Sequence, residues 1–340
     1  MQAQDISFII PVYNRPEEVK ELLESFVTLD GEKNFEIVII EDGSTLSSKT
    51  IVDGFSDKLN ISYYYKKNSG PGDSRNYGMK LAKGNYFIIL DSDCILPKNY
   101  LNEVLKSLNK NYVDCFGGPD AAHSSFTNLQ KAINFSMTSF ITTGGIRGNK
   151  ASVNKFQPRS FNMGLSKSAF EATGGFGRIH PGEDPDLSIR LTNLNFKTKL
   201  LPEAFVYHKR RISWSKFYKQ VYKFGLVRPI LNSWYPETKK MTYWFPTLFS
   251  LGLLVSFILF IMDIKLPLIS FGLYFVLSFI LALINTKNIV VPFLAIIAII
   301  IQFFGYGYGF LKSTLILSLS NKDTELQFPN LFFKINKDDI

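Results

Sequence analysis

Four places in this sequence bring together residue types that do chemistry: Asp91-Ser92-Asp93, Glu183-Asp184 with Asp186 just beyond, the pair Glu41-Asp42, and His208. The first ends a buried-type run, Tyr86-Phe-Ile-Ile-Leu. Alternate side chains of an extended segment point the same way. A strand end can also splay, so that one aspartate meets a metal and the other a ribose or a water. Mg²⁺ and Mn²⁺ take carboxylate oxygens together with substrate phosphates, which makes such a pair a candidate metal and phosphate site. Taken singly, each grouping has an ordinary structural explanation as well. Asp42-Gly43-Ser44 is a common turn, Gly182-Glu183-Asp184-Pro185-Asp186 suits the acidic first turn of a helix, Arg75 suits a solvated helix face, and a lone histidine such as His208 is more often structural than catalytic.

The elements around these residues give them weight. Apolar, β-rich runs at 6–12, 36–41, 61–66, 86–91 and 113–117 alternate with amphipathic stretches such as 17–29 and 75–83. That alternation predicts βαβ units and a mainly parallel sheet, an α/β fold. Ligands of such sheets bind at the carboxyl ends of the strands. The first, second and fourth runs all end in polar residues: Pro11-Val12-Tyr13-Asn14, Glu41-Asp42-Gly43-Ser44 and Asp91-Ser92-Asp93. From 108 to 201 the pattern is less regular, with glycines at 144, 145 and 148, a short apolar run at 161–165, and Gly174-Gly175-Phe176-Gly177. This stretch is expected to form the acceptor side of the same domain.

Five motifs in order carry a resemblance. Ser7-Phe-Ile-Ile-Pro11-Val-Tyr13-Asn14-Arg15, Glu36-Ile-Val-Ile-Ile-Glu41-Asp42-Gly43-Ser44-Thr45, Gly70-Pro-Gly-Asp-Ser-Arg75-Asn76-Tyr-Gly78, Asp91-Ser-Asp93 and Gly182-Glu183-Asp184-Pro-Asp186-Leu resemble the family 2 inverting glycosyltransferases of GT-A fold, over residues 5 to 208. The resemblance implies that Pro11, Tyr13, Asn14, Glu41, Asp42, Arg75 and Asp91 serve nucleotide binding. Glu41 departs from the family's usual aspartate there. It further implies that Asp93, with Asp91 and His208, holds Mg²⁺ or Mn²⁺, that Asp184 is the catalytic base, and that Glu183, Asp186 and Asn162 lie toward the acceptor. Inversion needs a base that takes the acceptor proton while cations stabilise the departing nucleoside diphosphate. Gln220-Val-Tyr-Lys223-Phe224 is only a loose echo of the Gln-x-x-Arg-Trp motif of processive synthases, which argues for single-sugar transfer.

The chain has 340 residues and a net charge of +9, most of it within 209–240, where nine lysines and arginines face one acid, Glu237. The block precedes the first membrane-length segment, so anionic lipid or a diphosphate explains it more simply than nucleic acid. Within it, 214–232 spaces aromatic residues and lysines as a helix that lies in a membrane interface or packs on the catalytic domain. Apolar segments at 245–262, 266–284 and 289–304, the last extending toward 319, predict three spanning helices. Positive residues before the first put that end in the cytoplasm and the tail 321–340 outside, unless 289–319 turns back as a hairpin. The expected division is thus 1–208 catalytic, 209–244 interfacial, 245–320 transmembrane and 321–340 tail. No basic leader precedes the Pro11-broken first run, so a cytoplasmic catalytic domain on the inner (plasma) membrane is expected. Cys94 and Cys115 form no CxxC pattern, which disfavours a disulfide framework or a zinc site. The expected partners are a nucleotide-diphosphate sugar, with UDP as the nucleotide, a lipid-linked or membrane-proximal glycan acceptor in cell-envelope polysaccharide synthesis, and membrane lipid. Transfer to polyprenyl phosphate is the alternative reaction, and a nucleotide-binding membrane adaptor the alternative without turnover.

Overall fold

A computed structural model describes residues 1–121, 126–144, 157–208, 213–320 and 322–333. The chain divides into two compact units, one of Met1–His123, Lys150–Lys209 and Phe332–Ile340, the other of Ser124–Asn149 and Arg210–Leu331. Gly145, Gly148, Lys209, Arg210 and Arg211 of the segments discussed above lie outside the described residues.

The described residues of the first unit form ten strands: β1 (Ile6–Val12), β2 (Glu36–Asp42), β3 (Ile61–Lys66), β4 (Tyr86–Leu90), β5 (Cys94–Ile95), β6 (Cys115–Gly117), β7 (Asp120–Ala121), β8 (Asn162–Ser166), β9 (Thr198–Leu200) and β10 (Val206–His208). Between them run α1 (Pro16–Val27), α2 (Lys49–Asp53), α3 (Pro71–Leu81) and α4 (Tyr100–Lys110). Seven strands form one sheet in the order β3-β2-β1-β4-β8-β6-β9, and β3, β2, β1 and β4 are mutually parallel. Strand β8 enters antiparallel between β4 and β6. The central strands are apolar on both faces because both faces are covered, as parallel sheets require. Along β1, Ile6, Phe8, Ile10 and Val12 join a core with Leu22 and Phe26 of α1 and Val104 of α4. Ile9 points the other way, into a core with Met79 of α3, Phe170 and Leu187. That period of two is the one the sequence pattern predicts. Three short strands form a second sheet, β5-β10-β7, in which His208 pairs with Cys94.

The second unit opens with α5 (Asn128–Thr138) and α6 (Phe140–Thr143), an excursion of the chain that the linear division did not anticipate. The first unit then supplies α7 (Lys167–Thr173) and α8 (Glu183–Asn193), and the second continues with α9 (Trp214–Trp234), α10 (Phe245–Ile261), α11 (Leu266–Thr286) and α12 (Val290–Leu319). Ala132 and Phe135 of α5 are buried with Phe249, Ala282, Ala295 and Ile299, which explains why that excursion joins the apolar helices. Helix α9 packs on α12 through glycines: Gly305 lies against Val221 and Tyr218, and Gly309 against Tyr222. Among the described residues, three helices are long and apolar enough to cross a membrane: Met241–Ile261, Leu266–Thr286 and Val290–Leu319. The last is one continuous helix, so the hairpin alternative is not adopted. Phe332 pairs antiparallel with Ile179 of the first unit. Phe332, expected in the tail outside, therefore lies on the same side of any membrane as Ile179.

Candidate active site

Because β1, β2 and β4 run parallel, their polar carboxyl ends emerge at one edge of the sheet. There Asp91 and Asp93 follow β4, and β10 brings His208 beside them: its Nε2 lies 3.1 Å from Asp93 Oδ1 and 3.8 Å from Asp91 Oδ2. Arg75, buried on α3, donates to Asp91 Oδ1 at 2.8 Å and to Glu183 Oε1 at 3.2 Å. His180 Nδ1 lies 2.9 Å from the same Glu183 oxygen. Arg15, at the start of α1, closes the other end by an ion pair with Asp93. A continuous charged network therefore joins residues from the ends of β1, β4 and β10 to the second turn of α3 and the first turn of α8. The Arg75 guanidinium also stands 5.2 Å from the Phe176 ring centroid, a stacking contact suited to a buried cation.

The residues assigned to the nucleotide fall into two groups. Tyr13 is half exposed at the end of β1, next to half-buried Pro11. Asn14 (φ 53°) ties two strand ends together. Its Oδ1 accepts from the amides of Thr45 at 2.8 Å and Leu46 at 2.9 Å, while its own amide donates to Ser44 Oγ. Glu41 and Asp42 are buried and engaged by protein groups. Glu41 accepts from Ser44, from Ser48 and, at 3.1 Å, from Tyr63. Asp42 accepts from Lys66 Nζ at 2.9 Å and from the amides of Ser69 and Gly70 at 3.0 Å. Their carboxylates shape the loops beside the crevice, with Asp42 holding the turn into α3.

Glu183 and Asp184 begin α8, where three acidic residues meet the positive end of the helix. Burial alone would raise the Glu183 pKa, but His180 and Arg75 outweigh it and hold the carboxyl down to about 2. The neighbouring Asp184 is raised, first by burial and then by the Glu183 charge, against the opposing pull of Arg75, Arg159 and Ser160. Its Oδ1 is buried with no hydrogen-bond partner among the described residues. Asp186 serves architecture: it pairs with Arg190 at 2.7 Å, and Arg190 in turn donates to the carbonyls of Thr173 and Gly175. Asn162 does not face the crevice. It is fully buried at the start of β8, accepting from Tyr100 Oη at 2.6 Å and donating to the Ala204 carbonyl at 2.8 Å, so both ends of its amide are spent inside the fold.

The residues named for a cation fit one. Asp93 Oδ1 is buried without an aligned hydrogen bond, although His208 Nε2 is near. Asp93, Cys94 and His208 place their ligand atoms within 4.8 Å of one another. The Cys94 thiol donates to the Phe161 carbonyl at 3.3 Å, and burial, followed by the charges of Asp93 and Asp91, pushes its pKa well up. A protonated thiol leaves carboxylate and imidazole as the donor set, which suits Mg²⁺ or Mn²⁺. Sequence reasoning missed Arg15, whose partner Asp93 is distant in the chain, and His180, which stands three residues before Glu183 but outside the motif itself. It also missed Cys94, whose place beside His208 depends on the pairing of β5 with β10.

A family model described as Glycosyl transferase family 2 matches residues 7–174. An uncharacterized glycosyltransferase of Rickettsia felis is 42% identical over 106 residues, 31% of this chain and 17% of that protein. Poly(ribitol-phosphate) beta-N-acetylglucosaminyltransferase TarS of Staphylococcus aureus is 33% identical over 111 residues, 32% of this chain and 19% of that one. The chain thus spans less than a fifth of the length of these two relatives. Among solved structures, the mannosyltransferase PcManGT from Pyrobaculum calidifontis, in complex with GDP-Man and Mn²⁺, matches with a TM-score of 0.55 at 14% identity. The match covers 94% of this chain and 88% of that one, a likeness of fold.

Proposed function

The chain belongs to Glycosyl transferase family 2 through its residues 7–174, and we propose that it transfers one sugar, with inversion, from a nucleotide-diphosphate sugar to the hydroxyl of a lipid-linked or membrane-proximal acceptor. The carrying observation is the pair at the start of α8: Glu183 is tied to Arg75 and His180, while Asp184 keeps a buried oxygen without a partner among the described residues. That oxygen is free to accept a proton. In the proposed step the acceptor oxygen forms a bond to the anomeric carbon as its proton passes to Asp184. The bond from that carbon to the diphosphate oxygen breaks with its electron pair, leaving a nucleoside diphosphate. Arg75 presents positive charge toward the same edge. A divalent ion held by Asp93, Asp91 and His208 would supply further neutralisation of the leaving group. Tyr13 and Pro11 offer a half-exposed surface for the base, and the Asn14, Glu41 and Asp42 hydrogen bonds fix the loops around it.

UDP is the first nucleotide to test, since the relative TarS is named an N-acetylglucosaminyltransferase; GDP, bound by the mannosyltransferase of like fold, is the second. Release of nucleoside diphosphate by the membrane-reconstituted protein, screened over donors, identifies the substrate. Asp184→Asn is expected to lower transfer to a hydroxyl about a thousandfold while nucleotide binding persists, within the range a general base contributes. A phosphate acceptor is already ionised, so near-wild-type rates in that variant would replace the hydroxyl reading with transfer to polyprenyl phosphate. Tight nucleotide binding with no turnover on any donor would leave only the adaptor.

A further inference from the structure

Beyond the region that the family match covers, the chain comes back to the catalytic unit. Phe332 forms its antiparallel bridge with Ile179, and the Phe333 amide donates to the Arg178 carbonyl at 3.2 Å. The Phe333 ring stands 5.8 Å from the His180 ring, centroid to centroid. It also lies so close over Gly70 that a Cβ at that position would overlap it. Gly70 caps the start of α3, the helix that carries Arg75. His180 holds Glu183, the first residue of α8 and the neighbour of Asp184. One aromatic side chain from the far end of the sequence thus touches the cap of α3 and, through His180, reaches the start of α8.

The loop it rests on needs such support. Gly174, Gly175 and Gly182 all take positive φ there, and glycine-rich backbone loses the most freedom when it is ordered. We infer that Phe333 is a positioning residue of the transfer site: with the Phe332–Ile179 bridge it clamps the loop leading into α8 against the start of α3, and so fixes Asp184 relative to Arg75. The assignment rests on the reading of Asp184 as the base. It carries a topological corollary. Phe332 follows three span-length helices, yet it pairs with Ile179, so the complete crossings between His208 and Phe332 are even in number and at least one of the three helices does not cross fully.

The test uses the full chain in membranes. In an Ile179→Cys/Phe332→Cys variant, mild oxidation is expected to consume both new thiols, and reporters at the N- and C-termini are expected on the same face. Phe333→Ala is expected to lower kcat about tenfold, with nucleoside diphosphate affinity within about threefold of wild type, because small misplacements of reacting groups cost rate more than binding. Phe333→Leu or Phe333→Tyr restores most of the rate. Thiols that stay free, termini on opposite faces, or a Phe333→Ala kcat that is unchanged or increased would each overturn the inference, the last marking Phe333 as an obstructing cover. Should no donor turn over, the function reading fails while the thiol and topology readouts still decide where the tail lies.

Discussion

Glu183 and Asp184 are adjacent carboxylates with opposite environments, and that contrast governs how the site responds to pH. Cations hold the first ionised; burial and the first's own charge make ionisation of the second costly. Divergence of this kind is how neighbouring carboxylates acquire different roles. With Asp184 as the proposed base, which works as its carboxylate, kcat/KM is expected to fall as pH drops through the raised Asp184 value, at a pH above the ordinary aspartate value of about 3.9. The same shift makes a stability prediction. A carboxyl with a raised folded pKa binds its proton more tightly in the folded state, so stability falls as pH climbs from the unfolded value through the folded one. Asp184→Asn should therefore melt higher than wild type at neutral pH and lower its activity. A variant that loses rate and stability together would argue that Asp184 is architectural. Asp184, Arg75 and Asp93, which motifs name, and His208, which the resemblance adds, gather at one edge of the sheet. Arg15 was not legible, since its partner Asp93 comes near only in the fold; His180 was passed over although Glu183 stands three residues on, because a lone histidine carries little weight by itself. Asn162 was misplaced for a related reason: an amide at a strand end looks the same in sequence whether it faces a ligand or Tyr100.

At the scale of elements, alternating hydrophobic runs located the parallel strands, since a period of two needs no knowledge of what covers each face. Two features were hidden from that reasoning. The antiparallel insertion of β8 is a matter of topology, which side-chain pattern does not encode. The mounting of α9 on α12 depends on glycines that look incidental in an apolar helix. Helices approach this closely only where small residues let their backbones meet. A Cβ at Gly309 would overlap the Tyr222 carbonyl oxygen and stand 3.0 Å from the Leu226 amide, both backbone atoms that cannot rotate away. Gly309→Val is expected to destabilise the second unit by about 1–3 kcal/mol, the usual range for overpacking. Gly272 gives the control, because a Cβ there meets nothing within 4 Å. Gly272→Ala should be neutral or gain about 0.5–1 kcal/mol of helix propensity. Thermal unfolding in detergent, followed by tryptophan fluorescence, separates the two.

For the whole molecule the question is what force would hold it on a bilayer. Two candidates are present: the basic approach segment, with exposed Lys216 and Lys219 on α9, and the apolar helices that follow. Electrostatic attraction to anionic lipid is screened within about 8 Å at physiological ionic strength and weakens further in high salt. Burial of hydrocarbon surface does not. Helix α11 leaves Ile269, Leu273, Val276, Leu277, Ile280 and Ile284 exposed, and α10 does the same with Leu251, Leu254, Phe257 and Ile258. Contiguous apolar surface on that scale is what a bilayer covers and water does not tolerate. Each fully buried side chain of this size contributes about 1.5–3 kcal/mol, so even a few outweigh what several surface lysines add. Membranes washed in 1 M salt (about a 3 Å screening length) are therefore expected to retain the protein, and detergent to release it. Lys216→Ala/Lys219→Ala should leave retention intact. Release of the wild-type protein by salt alone would show that charge, and not the apolar helices, holds it.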